Sequence, residues 1–241
     1  MLTALRRKDA LAIRLKKGMP VKSGLGSSSA SAVAAALAAN AFLGDPFCRE
    51  ALLPFALEGE RLACGSPHYD NVAASLFGGI VLIRPDDPCE IISLSYPKAL
   101  YFAILHPDVQ IATRDARAVL PDRVSRNVAV MQSSHLAAFV HALREDDWEL
   151  IGRSMVDFIA EPVRKELLPY FDRIKKASLA AGACGFGISG SGPAMFALCR
   201  GRSAAECTAS AMGAECSAQD LRYKTFVSRI NPKGAEIIEE G

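Results

Sequence analysis

Leu11, Ile13 and Leu15 alternate with Ala12, Arg14 and Lys16, a two-residue period that predicts a half-buried strand over residues 11–15. The pattern then changes. Pro20 opens a stretch rich in glycine and serine, and from residue 30 to 43 alanine, leucine and valine dominate until Gly44, which predicts a helix with a glycine stop. Asp45 and Pro46 read as the cap and first position of a second helix, running past Glu50 towards Cys64 and bent or restarted at Pro54. Residues 65–71 read as a loop before a short apolar helix ended by Gly78 and Gly79, and residues 80–83 as a brief buried strand.

Pro85, Asp86, Asp87 and Pro88 form a charged turn between two strand-like runs, so the domain junction is expected just after it, dividing the chain into 1–88 and 89–241. Beyond the junction the pattern predicts a strand at 100–105, helices at 113–120, 128–144 and 146–158, a connector at 162–169 and a helix at 170–181. Strands at 184–188 and 194–199, a helix from Ser203 and a strand at 223–230 follow. Strand, helices, strand, strand, helix, strand is the split βαβ order of a ferredoxin-like domain. The expected class is α+β.

The chain has 241 residues, 50% hydrophobic and 22% charged, which suits one large or two small domains with cores and excludes disorder. A formal net charge of +2 is too balanced for the electrostatic footprint of a nucleic-acid or membrane-surface binder. Small-molecule chemistry is favoured instead. The longest apolar stretch, residues 30–43, is mostly alanine and contains Ser31 and Asn40, so it does not read as a membrane span. Arg6, Arg7, Lys8 and Asp9 have no apolar core behind them, so no secretory signal is expected and the cytoplasm is the expected compartment. The apolar content permits a homodimer without indicating one. Seven cysteines are scattered without zinc-knuckle or redox spacing and read as reduced core thiols. Four histidines show no helical i, i+4 pairing, so a caged transition metal is not expected.

Gly24, Leu25, Gly26, Ser27, Ser28 and Ser29 stand where a strand is expected to feed a helix. Small residues there bring backbone N–H groups close to an anion while the helix dipole points at it, the arrangement of a phosphate cradle. Walker spacing is absent, and the three serine hydroxyls replace the lysine of that motif. A serine-capped glycine turn is the plainer reading of the same residues. A second string places Gly185, Gly187 and Gly190 in Gly-x-Gly-x-x-Gly order, but residues 193–199 read as a strand where a dinucleotide fingerprint needs a helix. This second loop is a tight crossing between strands, either a bare hairpin or a wall of a substrate pocket.

Pro20 and Gly24 to Ser29 before an alanine-rich helix, with Gly187, Ile188, Ser189, Gly190, Ser191, Gly192 and Pro193 late in the chain, resemble the second and third signature motifs of the GHMP kinases. That family includes galactokinase, homoserine kinase, mevalonate kinase and phosphomevalonate kinase. The block Gly65, Ser66, Pro67, His68, Tyr69, Asp70, Asn71 with Phe77, Gly78 and Gly79 is most similar to its homoserine kinase branch. So are residues 109–117 with Leu120 and Pro121, and residues 161–164. The resemblance covers nearly the whole chain. It implies an N-terminal domain like ribosomal protein S5 domain 2, a ferredoxin-like C-terminal domain, and ATP-dependent phosphorylation of the side-chain hydroxyl of L-homoserine. Another kinase of the family acting on an isoprenoid alcohol, and a non-catalytic metabolite-binding remnant, are the alternatives.

Carried over residue by residue, the resemblance puts ATP on Pro20, Gly24, Leu25, Gly26, Ser27, Ser28 and Ser29, with Ser28 and Glu60 as ligands of Mg2+. A phosphoryl group in flight spreads negative charge over its oxygens, so backbone donors, a helix N-terminus and a hard cation meet its needs. Homoserine is a zwitterion whose carboxylate suits a guanidinium fork. The resemblance assigns Arg117 and Arg164 to it, with Thr113 near the first and His68, Asp70 and Asn71 lining the acceptor pocket from the other domain. Ser28, Glu60, Asn71 and Arg117 are the expected catalytic group, and His68 is the weaker candidate for a base. Alignment and charge stabilisation suffice for a loose transition state. The family's first signature motif lies in a segment preceding the phosphate loop, and this sequence shows no counterpart, so the first domain is expected to be incomplete.

Overall fold

The computed structural model describes residues 1–65, 68–84, 86 and 89–238, apart from the side chains of Cys64, Thr113 and Arg114. These residues form two compact units, Met1–Val21 with Gly26–Ser93 and Asn231–Gly241, and Lys22–Leu25 with Leu94–Ile230. Among the described residues no helix is long and apolar enough to cross a membrane.

In the first unit, α1 (Ser27–Phe42) and α2 (Leu53–Cys64) pack side by side. Gly59 makes their approach close, since a Cβ on it would lie 3.0 Å from that of Ala32. Pro54 sits in the first turn of α2, where its missing N–H costs nothing, so the helix restarts there after a 3-10 turn at Glu50–Leu52. Asp45 and Pro46 do not open a helix. The buried amide of Asn40 donates to the Asp45 carboxylate and the Phe47 carbonyl and accepts from the Phe47 N–H, which fixes these residues in a turn. Val33, Ala36, Leu52, Ala56, Leu57, Val72 and Leu76 form the core.

α3 (Tyr69–Phe77) starts within the loop expected over 65–71, so Asp70 and Asn71 stand in its first turn, where an acidic side chain favours the helix dipole. Residues 66 and 67 of that loop lie outside the described residues. β1 (Ile80–Arg84) and β2 (Glu90–Leu94) pair with each other, and of the turn expected to mark the domain junction, 85–88, only Asp86 is described. The chain returns to this unit at its far end. The Asn231 carbonyl accepts from Gly79 N–H at 2.8 Å, Ala235 N–H donates to the Ser75 carbonyl, and Arg49 Nη1 bridges the carbonyls of Leu76 and Lys233.

Residues 11–15 do not form the expected strand. They carry no regular structure, and Ile13 and Leu15 are 52% and 49% exposed. Alternation describes a face, but a strand also needs a hydrogen-bonded neighbour, and none of the described residues pairs with this segment.

The second unit holds a four-stranded antiparallel sheet. Its strands are β3 (Leu100–Pro107), β4 (Gly185–Ile188), β5 (Met195–Arg200) and β6 (Tyr223–Arg229), in the order β4-β5-β3-β6. This is the ferredoxin-like arrangement the element order predicts. α4 (Thr113–Ala118), α5 (Arg126–Glu145) and α6 (Trp148–Ser154) follow β3. Where a plain connector is expected at 162–169, α7 (Glu161–Arg164) forms, because the Asp157 carboxylate accepts from the N–H groups of Ile159, Ala160 and Glu161. α8 (Phe171–Ala180) and α9 (Arg202–Ser217) pack against each other, and Phe171, Ile174, Ala205 and Met212 join Leu105, Phe186 and Met195 of the sheet in one core. Cys199 and Cys216 are core thiols as expected, whereas Cys48 and Cys207 are exposed: their positions fall on outward faces that composition cannot assign.

Candidate active site

In the first unit the site begins at Gly26. It caps α1 with φ 75°, a left-handed conformation that glycine adopts without a Cβ penalty, and among the described residues no side chain caps the helix. The first-turn N–H groups are therefore not consumed by a capping side chain, which is what an anion needs. Asn71 packs against the same glycine, since a Cβ there would lie 3.3 Å from Asn71 Oδ1. Ser31 Oγ donates back to the Ser27 carbonyl, so Ser31 is a helix residue rather than part of the loop. The Ser29 hydroxyl is buried, with no hydrogen-bond partner among the described residues.

One helical position into α1, Ser28 Oγ donates to Glu60 Oε1 at 3.0 Å. His68 Nδ1 meets the same carboxylate oxygen at 2.9 Å. Glu60 is only 1% exposed, so the residue expected to look like a solvated helix glutamate is a buried acid on which a hydroxyl and an imidazole converge. An ionised Glu60 accepts from Nδ1–H, which leaves Nε2 as the acceptor of a neutral ring. Asp70, in contrast, is exposed. Pro20 is half-buried.

In the second unit the loop's first glycine, Gly24, has φ 81° and is pressed against the second glycine string. Ser189 Oγ donates to the Gly24 carbonyl at 3.0 Å, and Ala194 N–H to that of Ser23. Ser23 Oγ in turn accepts from Leu25 N–H. The second string is thus more than a hairpin: it holds Ser23 and Gly24, at the start of the first glycine–serine loop.

Arg164 closes α7 and donates Nε to the Ala116 carbonyl and Nη1 to that of Gly190, both at 3.0 Å. Burial is the largest influence on its guanidinium and pulls its pKa below the ordinary arginine value; Asp157 opposes that shift and the like charge of Arg117 adds to it. Arg117 lies in the last turn of α4, exposed, close enough for the two cations to repel. An arriving carboxylate relieves that repulsion. Thr113 opens α4, and its side chain is outside the description.

Two contacts were not expected from the sequence. Lys17 Nζ lies 3.4 Å from Ser27 Oγ, and Ser189 reaches a carbonyl 165 positions earlier. Lys17 carried a signal, a cation shortly before a glycine–serine loop; Ser189 carried none beyond its place in a glycine string.

A glycine-capped helix N-terminus beside a half-buried serine on a buried glutamate, in a chain whose second unit is a ferredoxin-like sheet, defines a class of small-molecule phosphotransferases. Models of the GHMP kinase N-terminal and C-terminal domains match residues 1–79 and 139–218, and the chain belongs to the GHMP kinases. Within that family it is 43% identical over 226 residues to the homoserine kinase of Chlorobaculum tepidum, covering 93% of this chain and 70% of that protein. It is 44% identical over 186 residues to the homoserine kinase of Pyrococcus abyssi, covering 77% and 62%. The crystal structure of homoserine kinase from Cytophaga hutchinsonii superposes with a TM-score of 0.89 at 47% identity, over 92% of this chain and 70% of that one. A mevalonate kinase from L. major, at 18% identity and TM-score 0.68 over 88% and 68% of the two chains, shares the fold.

Proposed function

We propose that the chain is the ATP-dependent kinase that transfers the γ-phosphoryl group to the side-chain hydroxyl of L-homoserine, giving O-phospho-L-homoserine for threonine formation in the cytoplasm. Homoserine kinases at 38–44% identity over most of the chain support the substrate. The observation that carries the chemistry is the Ser28–Glu60 contact at the head of α1.

Magnesium fits these residues. A hydroxyl and a buried carboxylate are the hard oxygen donors such an ion takes, and Ser28 Oγ and Glu60 Oε1 already converge in a hydrogen bond at the head of α1. Bound there with the nucleotide, the ion would neutralise charge on the β- and γ-phosphate oxygens. Gly24, Leu25, Gly26, Ser27 and Ser29, with Pro20 at the turn before them, hold the phosphates through backbone N–H groups. Asn71, seated against Gly26, fixes the side of that loop. Arg164 and Arg117 take the acceptor carboxylate, and His68, Asp70 and Thr113 serve its ammonium and hydroxyl ends. The acceptor's hydroxyl oxygen bonds to the γ-phosphorus as the bridge to the β-phosphate breaks and ADP leaves, the hydroxyl proton passing to solvent, and alignment rather than a strong base does most of the work.

Glu60→Gln tests the assignment. It keeps shape and removes the charge, so magnesium-dependent homoserine phosphorylation is expected to fall well over tenfold, a barrier rise above about 1.4 kcal/mol. Unchanged turnover at saturating magnesium removes Glu60 from the metal site.

A further inference from the structure

The second glycine string makes contacts in two directions. On one side Arg164 Nη1 holds the Gly190 carbonyl. On the other, Gly24 is seated so tightly that a Cβ on it would fall 2.2 Å from the Ser189 carbonyl and 2.8 Å from that of Gly192, and a Cβ on Gly190 would fall 2.9 Å from the Gly24 carbonyl. Only glycine fits either place, and Ser189 Oγ donates across the contact to the Gly24 carbonyl. The hydroxyl thus sits next to the residue that the guanidinium holds. Both ends of this path lie in the second unit.

We propose that Ser189 is a positioning residue that couples acceptor binding to nucleotide binding, an inference that rests on the reading of Arg164 as the carboxylate ligand. A carboxylate on Arg164 fixes the guanidinium, and through Nη1 the Gly190 carbonyl. With Gly190 fixed, Ser189 holds the Gly24 carbonyl, and the loop is ordered before the phosphates arrive. Nucleotide phosphates on the loop order the same segment from the other end. Each ligand therefore lowers the ordering cost left for the other, and linkage makes the effect reciprocal. The serine hydroxyl is the part of this path that can be removed without touching either ligand.

Calorimetric titration of the full chain with magnesium–ADP, without and with saturating L-homoserine, reads the coupling as a ratio of two dissociation constants. Homoserine is expected to tighten magnesium–ADP on the order of fivefold. Ser189→Ala is expected to bring that ratio below twofold, and Ser189→Thr, which keeps the hydroxyl, to retain most of it. A purely structural role weakens both ligands and leaves the ratio unchanged, and that result for Ser189→Ala overturns the proposal. Should that variant fail to fold by thermal melting, Ser189→Cys, nearly isosteric and a poor donor, reads the same ratio. A ratio near one in the unsubstituted chain, with both ligands binding, also overturns the coupling but leaves the proposed function standing. If homoserine does not bind the unsubstituted chain at all, the proposed function falls and the coupling with it.

Discussion

Arg164 spends two of its donors on backbone carbonyls, and this determines what it can offer a substrate. With Nε and one N–H of Nη1 engaged, the remaining N–H groups form the fork that a carboxylate can take. Arg164→Lys keeps the charge but cannot hold two carbonyls and an anion in one plane, so the Michaelis constant for homoserine is expected to rise at least tenfold, and more than that for ATP. Steady-state kinetics with each substrate varied separately decide it; a larger rise for ATP places Arg164 on the nucleotide instead. Glu60 illustrates the limit of reading residues singly. Its chemistry was legible only through resemblance, because nothing in a helical LEGERL stretch says which glutamate turns inward.

Helix packing supplies that missing information. α1 and α2 approach closely at Gly59, one position before Glu60, and the near contact with Ala32 sets the distance at which Ser28 and Glu60 meet. Gly59→Val would push the helices apart; overpacking of this kind is expected to cost about 1–3 kcal/mol of stability, measured by urea denaturation, and to reduce magnesium-dependent activity with it. Stability and activity indistinguishable from the unsubstituted chain would show that the interface yields without moving Glu60. Among the elements, the long periodic helices were legible, and so were the short α3 and α4, but α7 was not. α7 exists because Asp157 gathers three N–H groups, an event of local hydrogen bonding without a hydrophobic period. The 11–15 segment failed in the opposite sense: it has the period and lacks a pairing partner.

At the scale of the molecule, each unit has its own core, and the second also carries a pH liability. Burial, with a smaller contribution from Glu215, pushes the Cys216 thiol up from 9.0 to about 11. The raised value belongs to the folded state, so above pH 9 the unfolded chain releases a proton that the folded chain retains. Stability present below pH 9 is therefore lost between pH 9 and 11, by at most about 3 kcal/mol from this group. Burial raises Cys184 and Cys199 in the same sense. Cys216→Ala is expected to have a lower melting temperature at pH 7 but a shallower fall from pH 9 to 11. Parallel melting curves across that range would exclude thiol ionisation as the cause.

The sequence by itself determined the class of fold, through the order of its elements, and the family, through glycines whose spacing matters because only they permit left-handed backbone and close approach. It also named Ser28, Glu60, Asn71, Arg117 and Arg164. What it could not determine is which of these touch. Ser28 and Glu60 are 32 positions apart, Arg164 and Gly190 26, Gly24 and Ser189 165. Such contacts arise from the packing of α1 on α2 and from a β4–β5 connection folded against a distant loop, and packing depends on all the side chains between elements at once. A local pattern records the face a residue presents, and the tertiary structure alone decides what that face meets.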